Sequence, residues 1–105
     1  SMRFIESFRV PAPADAVFAF AGDFRNLPQW DPGITAVEKL TPGAIRKGTK
    51  FRVELRFLGL PSTMEYVVEE WEPGRRARLK GTTPIATAVD TVSVEAGEGG
   101  TSVTW

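Results

Sequence analysis

The 105-residue chain suits one domain, and its 13 Lys plus Arg balance its 13 Asp plus Glu. Zero net charge argues against an electrostatic nucleic-acid binder or a polybasic membrane anchor, and the lack of Cys removes disulfides and thiolate metal sites. The lack of His removes the commonest general base and metal ligand, which excludes a Ser-His-Asp hydrolase or a zinc hydrolase within this chain.

No apolar run approaches the ~20 residues of a membrane span, and no signal peptide is expected. A cysteine-free chain is compatible with the cytoplasm, which is the expected location. Ser1 before Met2 reads as a remnant of tag removal, so the domain is taken as 2–105.

Residues 2–10 alternate as a strand with Met2, Phe4, Phe8 and Val10 on one face. Glu6 falls on that face, either as a carboxylate at a strand edge, paired with an Arg, or as a polar group on a cavity wall. Pro13 suits the first position of a helix over 14–21, with Asp15 near the positive end of its dipole and Gly22 as its stop. Val17, Phe20 and Ala21 form its expected apolar face, with Phe18 pointing elsewhere. Asp23 then caps a short turn over 24–27 before Pro28.

A strand follows over 34–40. Next, KFRVELRFLG places Phe51, Val53, Leu55 and Phe57 on a dry face and Arg52, Glu54 and Arg56 on a wet one. Met64, Tyr66 and Val68 continue the dry face, and Pro73-Gly74 turns the chain. Strands over 75–81 and 88–95, a hairpin loop over 97–100 and the start of a last strand at TSVTW complete the order. The fold class is α+β: a curved antiparallel sheet of six to seven strands with two short helices after the first strand. Arg76, Arg78 and Lys80 of the RRARLK run alternate onto the wet face beside Glu65, Glu69 and Glu72, so the run reads as a solvated ion-pair face.

The dry face poses a packing problem. A helix of about eight residues is only ~12 Å long and cannot cover such a sheet. A large apolar face must meet a further helix, a second copy of the chain or a ligand.

The ordered motifs resemble the START-like (SRPBCC) superfamily, and within it the polyketide cyclase/dehydrase-like group. They are Pro13-Ala14 with Val17 and Phe20, the Asp23–Asn26–Pro28–Trp30–Pro32–Gly33 spacing, Gly48-Thr49, Tyr66 to Trp71-Glu72-Pro73, Arg75-Arg76 and Gly100-Thr101. The resemblance spans nearly the whole chain. It implies a helix-grip fold, in which the sheet curls around a long C-terminal helix and leaves a deep cavity. It also implies lipid, sterol, quinone, polyketide or hormone binding, with cyclisation or dehydration in some members. That helix does not follow here: either the chain is truncated, the sequence is part of a longer protein, or another molecule fills the grip. A homodimer covering the apolar face is one such solution.

In that frame Trp30, restrained between Pro28 and Pro32, either fixes helix to strand or lines the ligand entrance. The expected ligand-lining residues are Trp30, Phe51, Val53, Leu55, Phe57, Met64, Tyr66, Val68, Leu79 and Val92. Tyr66 and Asp90 are the candidate acid–base pair, because an inward carboxylate has its pKa raised unless it is paired, for example with Arg78. Asp23 and Asn26 read as caps and turn formers, and Asp31 as solvent-facing. No cofactor, metal or nucleic-acid partner is expected. The expected function is binding of a small hydrophobic or aromatic ligand of lipid, quinone or polyketide type. The alternatives are a polyketide cyclase/dehydratase and an interaction or dimerisation module using the apolar face.

Overall fold

The computed structural model describes residues 3–105. Seven strands form one antiparallel sheet: β1 (Ser7–Val10), β2 (Ile34–Lys39), β3 (Lys50–Phe57), β4 (Leu60–Glu72), β5 (Arg76–Thr82), β6 (Thr87–Gly97) and β7 (Gly100–Thr104). Their spatial order is β1-β7-β6-β5-β4-β3-β2. Every neighbour from β2 to β7 is also a neighbour in sequence, so the sheet is a meander closed by β1 pairing back on β7. Helix α1 (Ala14–Ala21) and a 3-10 helix (Phe24–Gln29) lie between β1 and β2.

The first strand is shorter than the periodicity predicts. It begins at Ser7, and only the Glu6–Trp105 backbone pair extends it, with N···O distances of 2.9 and 3.0 Å. Phe4, Ile5 and Phe8 are exposed, so alternation over 2–10 does not become burial; Met2 lies outside the described residues. Pro13 occupies the N-cap of α1 in extended conformation, one position before the predicted site, and its carbonyl accepts the Val17 N–H at 3.0 Å. The buried face of α1 is Val17, Phe18 and Ala21, while Phe20 is 45% exposed. The reversal follows from Trp71, whose ring meets Phe18 at 4.9 Å and draws that side of the helix inward.

Asp23 caps the second helix as its sequence implies, its Oδ1 accepting the Arg25 N–H at 3.0 Å. This helix runs through Pro28 to Gln29, two residues beyond the predicted turn. It carries Phe24 and Leu27 into the core, where Phe24 meets Phe51 at 5.9 Å and Tyr66 edge-on at 5.2 Å. The lid problem is thus partly solved from within: α1 packs over β6 and β7, and the 3-10 helix packs by β2.

The dry side chains share the concave face through direct cross-strand pairing: Phe51 opposite Tyr66, Val68 opposite Leu79, Ala77 opposite Val92, Val94 opposite Val103. A bulge between Val68 and Glu70 adds one residue to β4 and returns Trp71 to the concave side opposite Ala77. It also leaves two successive carboxylates for the wet face. Glu69 pairs with Arg78 at 3.3 Å and Glu70 with Arg76, while Glu72 pairs with Arg75 at 3.3 Å. The RRARLK run is therefore an ion-pair face, although exposed pairs of this kind contribute only ~0–1 kcal/mol each.

The closing corner joins β1, α1 and β7. The buried Thr101 hydroxyl donates to the Ala12 carbonyl at 2.6 Å. Gly100 has φ +146°, and a Cβ there would stand 2.3 Å from the Val10 carbonyl oxygen. Both the backbone conformation and the space demand glycine. Gly100→Ala should destabilise the domain by about 2 kcal/mol or more. A thermal melt should then show Tm lowered by roughly 10 °C, and an unchanged Tm would refute this account of the corner.

Candidate functional site

Burial along the concave face runs from complete to nearly none. On β3, Phe51 and Val53 are buried, Leu55 is half-buried and Phe57 is 64% exposed. On β4, Val68 and Tyr66 are buried, Met64 is half-buried and Leu60, opposite Phe57, is 68% exposed. Helix α1 and the 3-10 helix close one end of the face, and the end at the β3–β4 hairpin stays open. Of the predicted lining, Phe51, Val53, Val68, Leu79 and Val92 pack in one core with Phe18, Phe24 and Leu27, whereas Leu55, Phe57 and Met64 reach the open end. The difference comes from Phe24 and Leu27, which occupy space that the sequence pattern leaves free.

The loop that precedes β2 stands beside this opening. The Arg56 N–H donates to the Gly33 carbonyl at 3.0 Å, and Ile34 pairs opposite Leu55. Asp31 Oδ1 accepts the Gly33 N–H at 3.0 Å, which shapes the turn. Trp30 is half-buried, and its ring meets Trp105 edge-on at 5.3 Å; Trp105 in turn meets Phe8 edge-on at 5.1 Å. A loop at the β2 edge therefore touches the β7 and β1 edge, so these rings hold the curl of the sheet across its open side. The Trp30 Nε1–H is buried and has no hydrogen-bond partner. Such a donor costs roughly 1–3 kcal/mol unless something accepts from it.

The polar groups converge around Tyr66. Its hydroxyl reaches no backbone group; its partner is the Met64 Sδ at 4.0 Å, a weak acceptor. Burial, then the Asp90 carboxylate, then the Asp31 carboxylate hold the phenol well above its ordinary value, so it stays neutral and able to donate. Asp90 lies opposite Leu79 on β6 and is not paired with Arg78, which Glu69 holds instead. Burial of its carboxyl group raises the Asp90 pKa, its contact with Tyr66 lowers it, and Asp31 raises it again. The residue as a whole is exposed, so water screens much of this effect. Asp31 is also exposed, as expected, yet its charge acts on both Tyr66 and Asp90. Sequence reasoning missed this role because Asp31 and Asp90 are brought together by curl, and no local pattern links them. Among the described residues no three carboxylates cluster closely enough to hold a metal ion.

A separate apolar cleft of about 340 Å³ opens between α1 and the β1–β7 edge, walled by Phe8, Val10, Val17, Phe20 and Val103. It contains none of the predicted lining residues. Phe20, turned out of the core by Phe18, forms part of it.

A curled seven-stranded sheet gripping short helices, with one apolar end open, is a fold shared with known proteins. The family described as polyketide cyclase / dehydrase and lipid transport matches residues 2–105. The chain belongs to this family. Comparison with curated proteins gives no match. Among solved structures it is similar to the ZhuI aromatase/cyclase of Streptomyces sp. R1128, at 20% identity and TM-score 0.76, over 96% of this chain and 62% of that one. A START superfamily protein of Mycobacterium smegmatis superposes with TM-score 0.75 at 17% identity, over 96% and 71% of the two chains. A STAR-related lipid transfer protein of Xanthomonas axonopodis gives 0.67 at 18%, over 96% and 64%. This chain thus spans less than two thirds of the aromatase/cyclase and of the lipid transfer protein. The helix-grip architecture is shared with all three, and no helix among the described residues of this chain is long and apolar enough to cross a membrane.

The raised Asp90 pKa has a thermodynamic consequence. Folded Asp90 holds its proton more tightly than unfolded Asp90, so its contribution to stability is present below the ordinary value of 3.8 and is lost as pH rises through the folded value. Asp90→Asn should therefore raise Tm at about pH 7 and leave it unchanged near pH 3. A variant that melts at or below wild type at neutral pH would contradict the burial assigned to this carboxyl.

Proposed function

We propose that the domain binds a small apolar or aromatic molecule, of lipid, quinone or polyketide type, at the open end of its concave face. The observation that carries this reading is the exposure gradient. An apolar face sealed at Phe51 and Val68 but 64–68% exposed at Phe57 and Leu60 favours an apolar occupant. Trp30 with its unpartnered N–H and Tyr66 with its hydroxyl give that occupant an aromatic wall and two donors. The polyketide and lipid named in the description of the matching family, and the lipid named for the lipid transfer protein, support the same class. A cytoplasmic location is part of this reading, and a cysteine-free chain is compatible with it.

Native mass spectrometry of the purified protein, with and without added 2-naphthol, tests this directly. A bound adduct on the monomer is the expected result. Dimers without adduct would instead make the apolar face a protein interface. Trp30→Ala should weaken 2-naphthol binding about tenfold, by removing a large apolar wall. Tyr66→Phe should weaken it about fivefold, by removing one hydrogen bond. Unchanged affinity in both folded variants would remove these residues from the site.

A second reading is favoured by one observation: a neutral phenol and a carboxyl group with a raised pKa stand together. A proton donor and acceptor so placed suit cyclisation or dehydration of a poly-β-ketone. On that reading Asp90→Asn abolishes turnover, followed by absorbance of the aromatic product, while ligand binding persists.

A further inference from the structure

Gly81 sits inside β5, where a glycine weakens the strand. Its φ is not in the left-handed region, so the backbone does not require glycine. The surroundings do. A Cβ at Gly81 would stand 2.6 Å from Tyr66 Cζ, 2.7 Å from Cε2 and 2.8 Å from Cε1. The far half of the Tyr66 ring therefore lies across the bare backbone of β5. Gly81 pairs with Tyr66 on β4 and with Ala88 on β6, so the ring points from β4 over β5 toward β6. Asp90 is two residues along β6 on the same face.

An aromatic ring laid on a strand glycine can serve the sheet alone. Here its polar end matters too. Tyr66 is only 8% exposed, and its hydroxyl meets the Met64 thioether and the Asp90 carboxyl group but no backbone group. A purely structural ring would need no hydroxyl, and phenylalanine would cover the glycine equally well.

We infer that Gly81 is a positioning residue: by leaving β5 bare it lets Tyr66 cross to β6 and present its hydroxyl beside Asp90, so that the site selects an aromatic ligand bearing a hydroxyl over the same ligand without one. The inference rests on the binding reading above. The neutral phenol donates to the ligand oxygen, and the Asp90 carboxylate accepts the ligand hydroxyl proton in a hydrogen bond. A side chain at position 81 would push the ring away, because a ring end and not backbone is what must yield.

Tyr66 is the single tyrosine, so its ionisation can be followed at 295 nm without ambiguity. Wild type should show no tyrosinate up to about pH 11, well above the ordinary phenol value. Gly81→Ala should ionise about one pH unit or more lower, because the ring leaves Asp90 and its buried place. Calorimetric titration with 2-naphthol and with naphthalene at about pH 7 gives the second readout. Wild type should prefer 2-naphthol about tenfold, and Gly81→Ala should reduce the preference to about twofold or less. A Gly81→Ala variant that keeps both the wild-type titration and the wild-type preference overturns the inference.

Should Gly81→Ala fail to fold, Asp90→Asn at its exposed position carries the test. It should lower the Tyr66 titration and reduce the naphthol preference, and wild-type values for both overturn the inference. Wild type binding both probes equally overturns this inference alone. Wild type binding neither overturns the binding reading itself, and the selectivity with it.

Discussion

The insertion of Phe24 between Phe51 and Tyr66 is the contact on which the rest of the molecule depends. Phe24 and Phe51 are almost wholly buried, and an aromatic side chain in such a place contributes ~1.5–3 kcal/mol from burial alone. The contact also sets geometry. It fixes the 3-10 helix at one end of the concave face and thereby decides which end stays open. The open end, the loop with Trp30 and Asp31, and the direction of the Tyr66 ring all follow from where Phe24 sits.

Curvature is the second constraint. A meander of seven strands has two edges, and here a loop at one edge touches the other through Trp30, Trp105 and Phe8. These edge-to-face contacts each add about 0.5–1.5 kcal/mol beyond area burial. They hold a concave face whose ends differ in chemistry. The sealed end is packed hydrocarbon and aromatic rings. The open end carries Leu55, Phe57 and Met64, while the Tyr66 phenol lies in the buried row of Phe51 and Asp90 stands opposite the buried Leu79. The unpartnered Trp30 N–H and the like charges of Asp31 and Asp90 cost stability that a ligand pairing with them would restore.

The two faces of the sheet obey different rules, and the bulge in β4 connects them. By shifting the register after Val68 it sends Glu69 and Glu70 to Arg78 and Arg76, and sends Trp71 back to Phe18. One inserted residue thus completes the ion-pair face and chooses which side of α1 is buried. Asp90 stands on the other face, opposite Leu79, where Arg78 does not reach it.

Much of this was legible in the sequence. Alternation in KFRVELRFLG places β3 and its dry face, because a strand's period of two depends on local geometry alone. Pro13, Gly22 and Asp23 mark the ends of the two helices for equally local reasons of backbone restriction and capping. The ordered motifs pointed to the fold and the family. Three things only the tertiary structure decided. Phe18 and not Phe20 is buried, because the β4 bulge brings Trp71 to it from fifty residues away. The open face is smaller than the pattern implies, because Phe24 and Leu27 fill one end of it. Asp31, Tyr66, Gly81 and Asp90 converge because strand register and curl bring together residues from three strands and a loop. Local periodicity reports which face a residue is on. It does not report how far a ring reaches along that face or what meets it there.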